Sequence, residues 1–181
     1  MVRGSIQSSV TLVLGGARSG KSAYGERVVE ASGGPMTYLA TAEAGDDEMT
    51  ARIAEHKARR GNRWTTVEEP LELADAVASA DKPGGAVLVD CLTLWLANLM
   101  AAERDIPAES QRLARALESI EGAVVLVANE VGLGIVPDNP QARAFRDHAG
   151  RLNQSIALLA DNVVFVAAGL PMILKGEDSN V

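Results

Sequence analysis

The sequence predicts an α/β protein: a mostly parallel sheet with helices on both faces. Three observations carry that prediction. Short apolar runs rich in Val, Leu and Ile recur along the chain, and near-continuous runs of this kind suit strands buried on both sides. Amphipathic helical patterns alternate with them. The first run, "SVTLVLGG", opens into a glycine-rich loop and then a helical stretch.

The elements follow in order. "SVTLVLGG" is a first strand, and Lys21 to Ala31 a helix. Pro35 to Ala42, "PMTYLATA", is a second strand. "GDDEMTARIAEHKARRG" is a helix, with Asp46, Asp47 and Glu48 at its start and Lys57, Arg59 and Arg60 at its end. That order complements the helix dipole, and Gly61 supplies a stop. "WTTVEEP" is a short strand, "LELADAVASA" a helix and "GGAVLVDC" a buried strand. "LTLWLANLMAAE" reads as a largely buried helix. "PAESQRLARALESI" is amphipathic, with Pro107 suited to its first turn. "AVVLVANE" is another buried strand. Asn139 and Pro140 read as N-cap and first residue of a long helix, with Ala142, Phe145, Ala149, Leu152, Ile156 and Leu159 on one stripe. "NVVFVAAG" is a further buried strand, "PMILK" a short last one, and "GEDSNV" a frayed tail.

With 181 residues and 47% hydrophobic content, the expectation is one domain, residues 1–181, around one core. A charged fraction of 23% argues against a disordered or membrane class. A net charge of −7 disfavours nucleic acid as the main partner. Cys91 is the only cysteine, so no intrachain disulfide can form, which fits a reducing cytoplasm. The start "MVRGSIQSSV" lacks the apolar run of a signal peptide, and no stretch reaches the roughly 18 apolar residues of a membrane span. The expected location is cytoplasmic.

Gly15, Gly20, Lys21 and Ser22 complete the pattern G-x-x-x-x-G-K-[ST], between a strand and a helix. The loop, Gly15, Gly16, Ala17, Arg18, Ser19, Gly20, Lys21 and Ser22, turns its backbone N–H groups toward phosphate oxygens, and the helix N-terminus adds positive potential. Lys21 would reach the β- and γ-phosphates, and Ser22 would hold Mg²⁺. This makes the fold P-loop NTPase-like and the ligand a nucleoside triphosphate. An acid should end a neighbouring buried strand and share the metal; Asp90, ending "AVLVD", fits, and it also fits a helix N-cap. Glu130, ending "AVVLVANE", is a second such acid. It suits a nucleophile- or water-orienting role and a structural acceptor equally well.

On the helix after the second strand, Arg52, His56, Arg59 and Arg60 share one side. Guanidinium neighbours disfavour a further positive charge, so the imidazole stays neutral and nucleophilic. The same arginines would hold a triphosphate as pyrophosphate leaves. Taken alone, the segment reads more plainly as a solvated cationic face with an incidental histidine. His148 has no comparable cluster around it.

"GGARSGKS", "YLATAEAGDDEMTARIAEHKARR" and "VVLVANEVGLGIVPDNPQARAFRDHAGRLNQ" together resemble the bifunctional adenosylcobinamide kinase / adenosylcobinamide-phosphate guanylyltransferase family of cobalamin assembly, from Thr11 to about Lys175. The resemblance implies two transfers: phosphorylation of adenosylcobinamide with ATP or GTP, then transfer of GMP from GTP to the new phosphate with release of pyrophosphate. It places the guanylylated histidine at His56. It places nucleotide contacts at the Gly15–Ser22 loop, at Ala40, Thr41 and Ala42, at Lys57, Ala58, Arg59 and Arg60, and at Glu68 and Asp90. Glu68 suits the guanine N1 and N2 donors. The resemblance also implies a homotrimer acting on a corrinoid small molecule. The main alternative is a single-activity small-molecule kinase of the same fold. An NTPase motor or switch is a more distant one, because the acidic balance and short chain leave little room for a DNA channel or effector domain.

Overall fold

The structure is a computed structural model and describes residues 8–42 and 63–176. In chain order its elements are β1 (Ser9–Gly15), α1 (Lys21–Ala31), β2 (Met36–Ala40), β3 (Trp64–Glu68), α2 (Leu73–Ala80), β4 (Ala86–Asp90), α3 (Leu92–Ala101), α4 (Ile106–Glu118), β5 (Ala123–Asn129), α5 (Pro140–Leu159), β6 (Asn162–Ala167) and β7 (Leu170–Lys175). The strands form one seven-stranded sheet in the order β3-β2-β4-β5-β1-β6-β7. All neighbours run parallel except β6 and β7. The expected α/β architecture is therefore present.

Helices cover both faces. One face packs Val13, Tyr38, Leu88, Val125, Val127 and Val166 against Tyr24 and Val29 of α1. The other packs Leu12, Leu39, Val89, Val124 and Leu126 against α2, α3, α4 and α5. This is why the central strands read as unbroken apolar runs: both of their faces are dry. Leu88, Leu126 and Ile156 are 0% exposed, and each such side chain contributes about 1.5–3 kcal/mol by leaving water. Gly25 lets α1 lie close on the sheet, since a Cβ there would stand 3.0 Å from Leu88 Cδ1 and 3.3 Å from Val127 Cγ2.

Helix starts follow local chemistry. Asp105 caps α4 by accepting from Ala108 N, with Pro107 in the first turn. The Asn139 side chain accepts from Ala142 N at 2.7 Å ahead of Pro140, as the sequence predicts. Helix α2 begins at Leu73, later than "LELADAVASA" suggests, because Glu69 Oε1 first accepts from the N–H groups of Leu71 and Glu72 and holds them in a turn. Helix α3 stops at Ala101, before the predicted "AE", and Glu103 takes a positive φ of 52°. The "PMILK" strand begins at Leu170 and pairs antiparallel with β6. Its two connecting residues, Ala168 and Gly169, both have positive φ, 51° and 80°, the geometry of a tight hairpin turn.

One charged cluster ties the helices of the second face together. Arg112 bonds Glu72, Asp75 and Glu109, and Arg104 bonds Glu72 and Glu109. Hydrogen bonds from Arg104 and then Arg112 hold the Glu72 carboxyl below the usual carboxylate range. Among the described residues, no helix is long and apolar enough to cross a membrane.

Candidate nucleotide site

The glycine loop leaves β1 and re-enters at α1, as the motif requires. Gly20 caps α1 at φ 98°, and Arg18 turns the loop at φ 56°. Ser19 N donates to Gly16 O at 3.2 Å. The β6–β7 turn props the loop from outside, with Gly169 N donating to Ser19 O at 2.8 Å. Gly15 has no room for a side chain: a Cβ would stand 2.5 Å from both Val166 O and Ser19 Oγ. Lys21, the first residue of α1, is 7% exposed, and its Nζ donates to Gly16 O at 3.0 Å. The ammonium is thus folded over the loop it would share with phosphates. Ser22 follows it, half-buried, and Ala17 and Arg18 are exposed.

Sheet register sets the other candidates along the same sheet edge, with Asn129 beside the loop strand and Glu68 four strands from it. Ala40 pairs with both Asp90 and Glu68, Asp90 with Val127, and Gly15 with Asn129. Side chains alternate along a strand. Gly15, Ala40, Asp90 and Asn129 lie two residues beyond Val13, Tyr38, Leu88 and Val127, and Glu68 four beyond Trp64; all five of these reference residues belong to the core on the α1 face. The loop, Ala40, Glu68, Asp90 and Asn129 therefore share the α1 face at the C-terminal edge of the sheet, where open α/β sheets bind ligands.

Tyr38, which the sequence presents only as a strand position, and Thr41, which the resemblance places at the nucleotide, organise this edge. Tyr38 Oη donates to Asp90 Oδ2 at 2.7 Å. Thr41 is 0% exposed, and its hydroxyl accepts from Cys91 N at 2.9 Å and donates to Cys91 O at 2.8 Å. Its carbonyl accepts from Asn98 Nδ2 at 2.8 Å, and the same amide reaches Pro70 O at 3.1 Å. Strand β2 was expected to run to Ala42 and ends at Ala40 because Thr41 turns these groups toward α3 and the end of β4. Burial pushes the Cys91 thiol up to about 11. The alternation phase was the available signal for Tyr38: it sits two residues before Ala40 on a strand beside the one that ends in Asp90.

Glu130 makes local structural hydrogen bonds. Its N–H donates to Gly15 O at 3.0 Å, and its carboxylate accepts from Gly132 N. His148 is half-buried on α5, far along the chain from the loop. His56, Lys57, Ala58, Arg59 and Arg60, with the helix expected around them, lie outside the described residues. Ala42, the last described residue before them, sits at the same edge of the sheet.

The described oxygen donors suit Mg²⁺: the Asp90 carboxylate at a strand end and the Ser22 hydroxyl in the first turn of α1. Magnesium takes one or two such protein oxygens and completes its shell with phosphates and water. Among the described residues no group of three or more His, Cys, Asp and Glu side chains forms a metal cage by itself, and a nucleotide-borne metal needs none.

Comparisons with known proteins bear on the fold and the family. The solved structure of the flagellar accessory protein FlaH from Methanocaldococcus jannaschii shares the fold, with a TM-score of 0.53 at 14% identity, covering 93% of this chain and 79% of that one. Much closer in sequence is the bifunctional adenosylcobalamin biosynthesis protein CobP of Pseudomonas aeruginosa, 50% identical over 92% of this chain and 97% of its own length. The CobU protein of Escherichia coli, of the same description, is 40% identical over 91% of this chain and 98% of its own. The family profile described as cobinamide kinase / cobinamide phosphate guanyltransferase matches residues 11–174. With nearly its whole length matched and its phosphate loop and strand-end acids gathered on one face, the chain belongs to the cobinamide kinase / cobinamide phosphate guanyltransferase family, enzymes of cobalamin biosynthesis on a P-loop NTPase-like fold.

Proposed function

We propose that this chain, acting as a single domain, phosphorylates adenosylcobinamide with ATP or GTP. It then transfers GMP from GTP to adenosylcobinamide phosphate through a His56–GMP intermediate, giving adenosylcobinamide-GDP. The observation that carries the reading is the gathering of Gly15–Ser22, Ala40, Glu68 and Asp90 on one face of one sheet edge, in a chain of this family.

In the kinase step the loop N–H groups and Lys21 hold the β- and γ-phosphates, and the acceptor hydroxyl attacks the γ-phosphorus in line. Mg²⁺ held by Ser22 and Asp90 supplies charge neutralisation on the phosphate oxygens. In the second step His56 attacks the α-phosphorus of GTP. Lys57, Arg59 and Arg60 hold the triphosphate as pyrophosphate leaves, and Ala58 lies beside them. Ala40, Thr41 and Ala42 border the nucleotide, and Glu68 accepts from guanine N1 and N2. The two attacks strike different phosphorus atoms. The nucleotide and His56 therefore take a different relative position in each step.

The enzyme works in the cytoplasm as a homotrimer. The edge strand β7 supports self-association: Leu170, Met172 and Leu174 alternate onto one face and are 69%, 55% and 58% exposed, an apolar edge that a lone protein in water would cover.

Incubation with α-labelled GTP tests the reading. The wild type should trap a GMP adduct that is labile to acid and stable to base. His56→Ala should lose the adduct and GMP transfer while keeping much of the kinase step. A wild type that phosphorylates the acceptor and forms no adduct would leave a single-activity kinase.

A further inference from the structure

Asn129 ends β5 directly beside Gly15, the first residue of the phosphate loop. Its backbone is fixed from both sides. Its N–H donates to Thr93 Oγ1 at 2.7 Å, and its carbonyl accepts from Asn153 Nδ2 at 3.4 Å. Thr93 and Asn153 are themselves buried. The side chain is treated differently: its Oδ1 is buried and has no hydrogen-bond partner among the described residues. It points to the α1 face, the one that carries Asp90 and the loop.

A buried acceptor left unmet costs about 1–3 kcal/mol, and the preceding positions of the same strand are apolar. A carboxamide here makes sense if a donor arrives with the substrates. The triphosphate does not bring one, since its oxygens are acceptors facing the loop N–H groups and Lys21. The kinase reaction does bring one: the hydroxyl that attacks. Asn129 also stands two residues further along the strand direction than the Asp90 register position, beyond the metal-binding carboxylate and level with the loop.

We infer that Asn129 Oδ1 accepts a hydrogen bond from the attacking hydroxyl of the phosphoryl acceptor and aims its oxygen at the γ-phosphorus. The inference rests on the kinase half of the proposed function. In the step, the acceptor oxygen forms a bond to the γ-phosphorus as the bond from that phosphorus to the β–γ bridging oxygen breaks. The nucleoside diphosphate leaves with the electron pair, and the hydroxyl proton is released to water. Asn129 orients and takes no proton.

The test compares wild type, Asn129→Ala and Asn129→Asp, using adenosylcobinamide, γ-labelled ATP and a non-hydrolysable ATP analogue. N129A should lower kcat for acceptor phosphorylation by about 10- to 100-fold, with analogue affinity within about twofold of wild type. It should also weaken equilibrium binding of adenosylcobinamide more than that of adenosylcobinamide phosphate, which no longer has the hydroxyl. N129D keeps an acceptor oxygen in place. At saturating ATP it should stay within about tenfold of wild type, and a greater loss overturns the inference even if N129A fails to fold. Unchanged kcat in N129A, equal weakening of substrate and product binding, or a loss of analogue affinity matching the lost rate overturns the inference while the kinase reading stands. A wild type that does not phosphorylate adenosylcobinamide at all removes both.

Discussion

Thr41 and Cys91 are joined by two hydrogen bonds through one hydroxyl, which accepts from the Cys91 N–H at 2.9 Å and donates to the Cys91 carbonyl at 2.8 Å. The pair locks the end of β2 to the residue after Asp90. This lock lies entirely out of water, since Thr41 is 0% exposed.

Replacing Thr41 with Val keeps the shape and leaves the Cys91 N–H unpaired, while the Cys91 carbonyl keeps the bond from Trp95 N at 3.1 Å. The expected cost is about 1–3 kcal/mol, from the penalty of an unmet buried donor. For a chain of this size that is a fall of roughly 2–12 °C in Tm. Thr41→Ser should recover most of it. Thermal unfolding followed by circular dichroism reads the difference, and an unchanged Tm in T41V would show that the lock is idle.

Gly15 and Gly16 should part company under the same change. A Cβ at Gly15 would collide with Val166 O and Ser19 Oγ, both at 2.5 Å, whereas a Cβ at Gly16 has nothing within 4 Å. Gly15→Ala should therefore destabilise the nucleotide-free protein by about 1–3 kcal/mol and weaken ATP binding at least about tenfold, because the loop must shift. Gly16→Ala should leave the nucleotide-free Tm unchanged. Scanning calorimetry and titration with ATP check both; equal effects of the two changes would contradict the geometry.

The carboxylate of Glu72 gives a pH signature. Arg104 and Arg112 hold its pKa below the ordinary value, so the folded state favours the ionised form. Its contribution is then present above the unfolded carboxylate value of about 4.3 and is lost as pH falls through the lowered folded value. Glu72→Gln should lower Tm at pH 7, and the gap from wild type should close in acid below that range. The group is partly exposed, with a side-chain exposure of 42%, so the effect should also shrink in high salt. A gap that is the same at neutral and acid pH would mean the charge does not matter there.

Much of this was legible in the sequence because the determinants are local. The strand-to-helix turn at Gly15–Ser22 follows from glycine's tolerance of positive φ and from the motif spacing. The Asn139–Pro140 and Pro107 helix starts follow from side-chain capping and proline's missing N–H. The buried strands announce themselves because both faces lose water. The ends were harder. Strand β2 stops at Ala40 and α2 starts at Leu73 because of hydrogen bonds from Thr41 and Glu69, whose partners are a strand away or folded into a turn that periodicity does not show. Glu130 stood out as an acid at a strand end, yet its carboxylate closes a local turn onto Gly132. Its neighbour Asn129 is the residue that faces the loop. Counting by two from Val127 distinguishes them, once the phase of the buried face is known.

The sequence by itself determined the alternation of strands and helices, the phosphate loop and the family, since each is written in residue order within a short stretch or carried by motifs matched along the chain. Which strands are neighbours is decided by the tertiary structure alone, and with it that Asn129 stands beside the loop while Asp90, Ala40 and Glu68 lie farther along the same face of the sheet edge. The reason is physical: parallel strands are hydrogen-bonded across large separations in sequence, so the register that sets β5 between β4 and β1 is fixed by burying two apolar faces at once. No single segment contains that information.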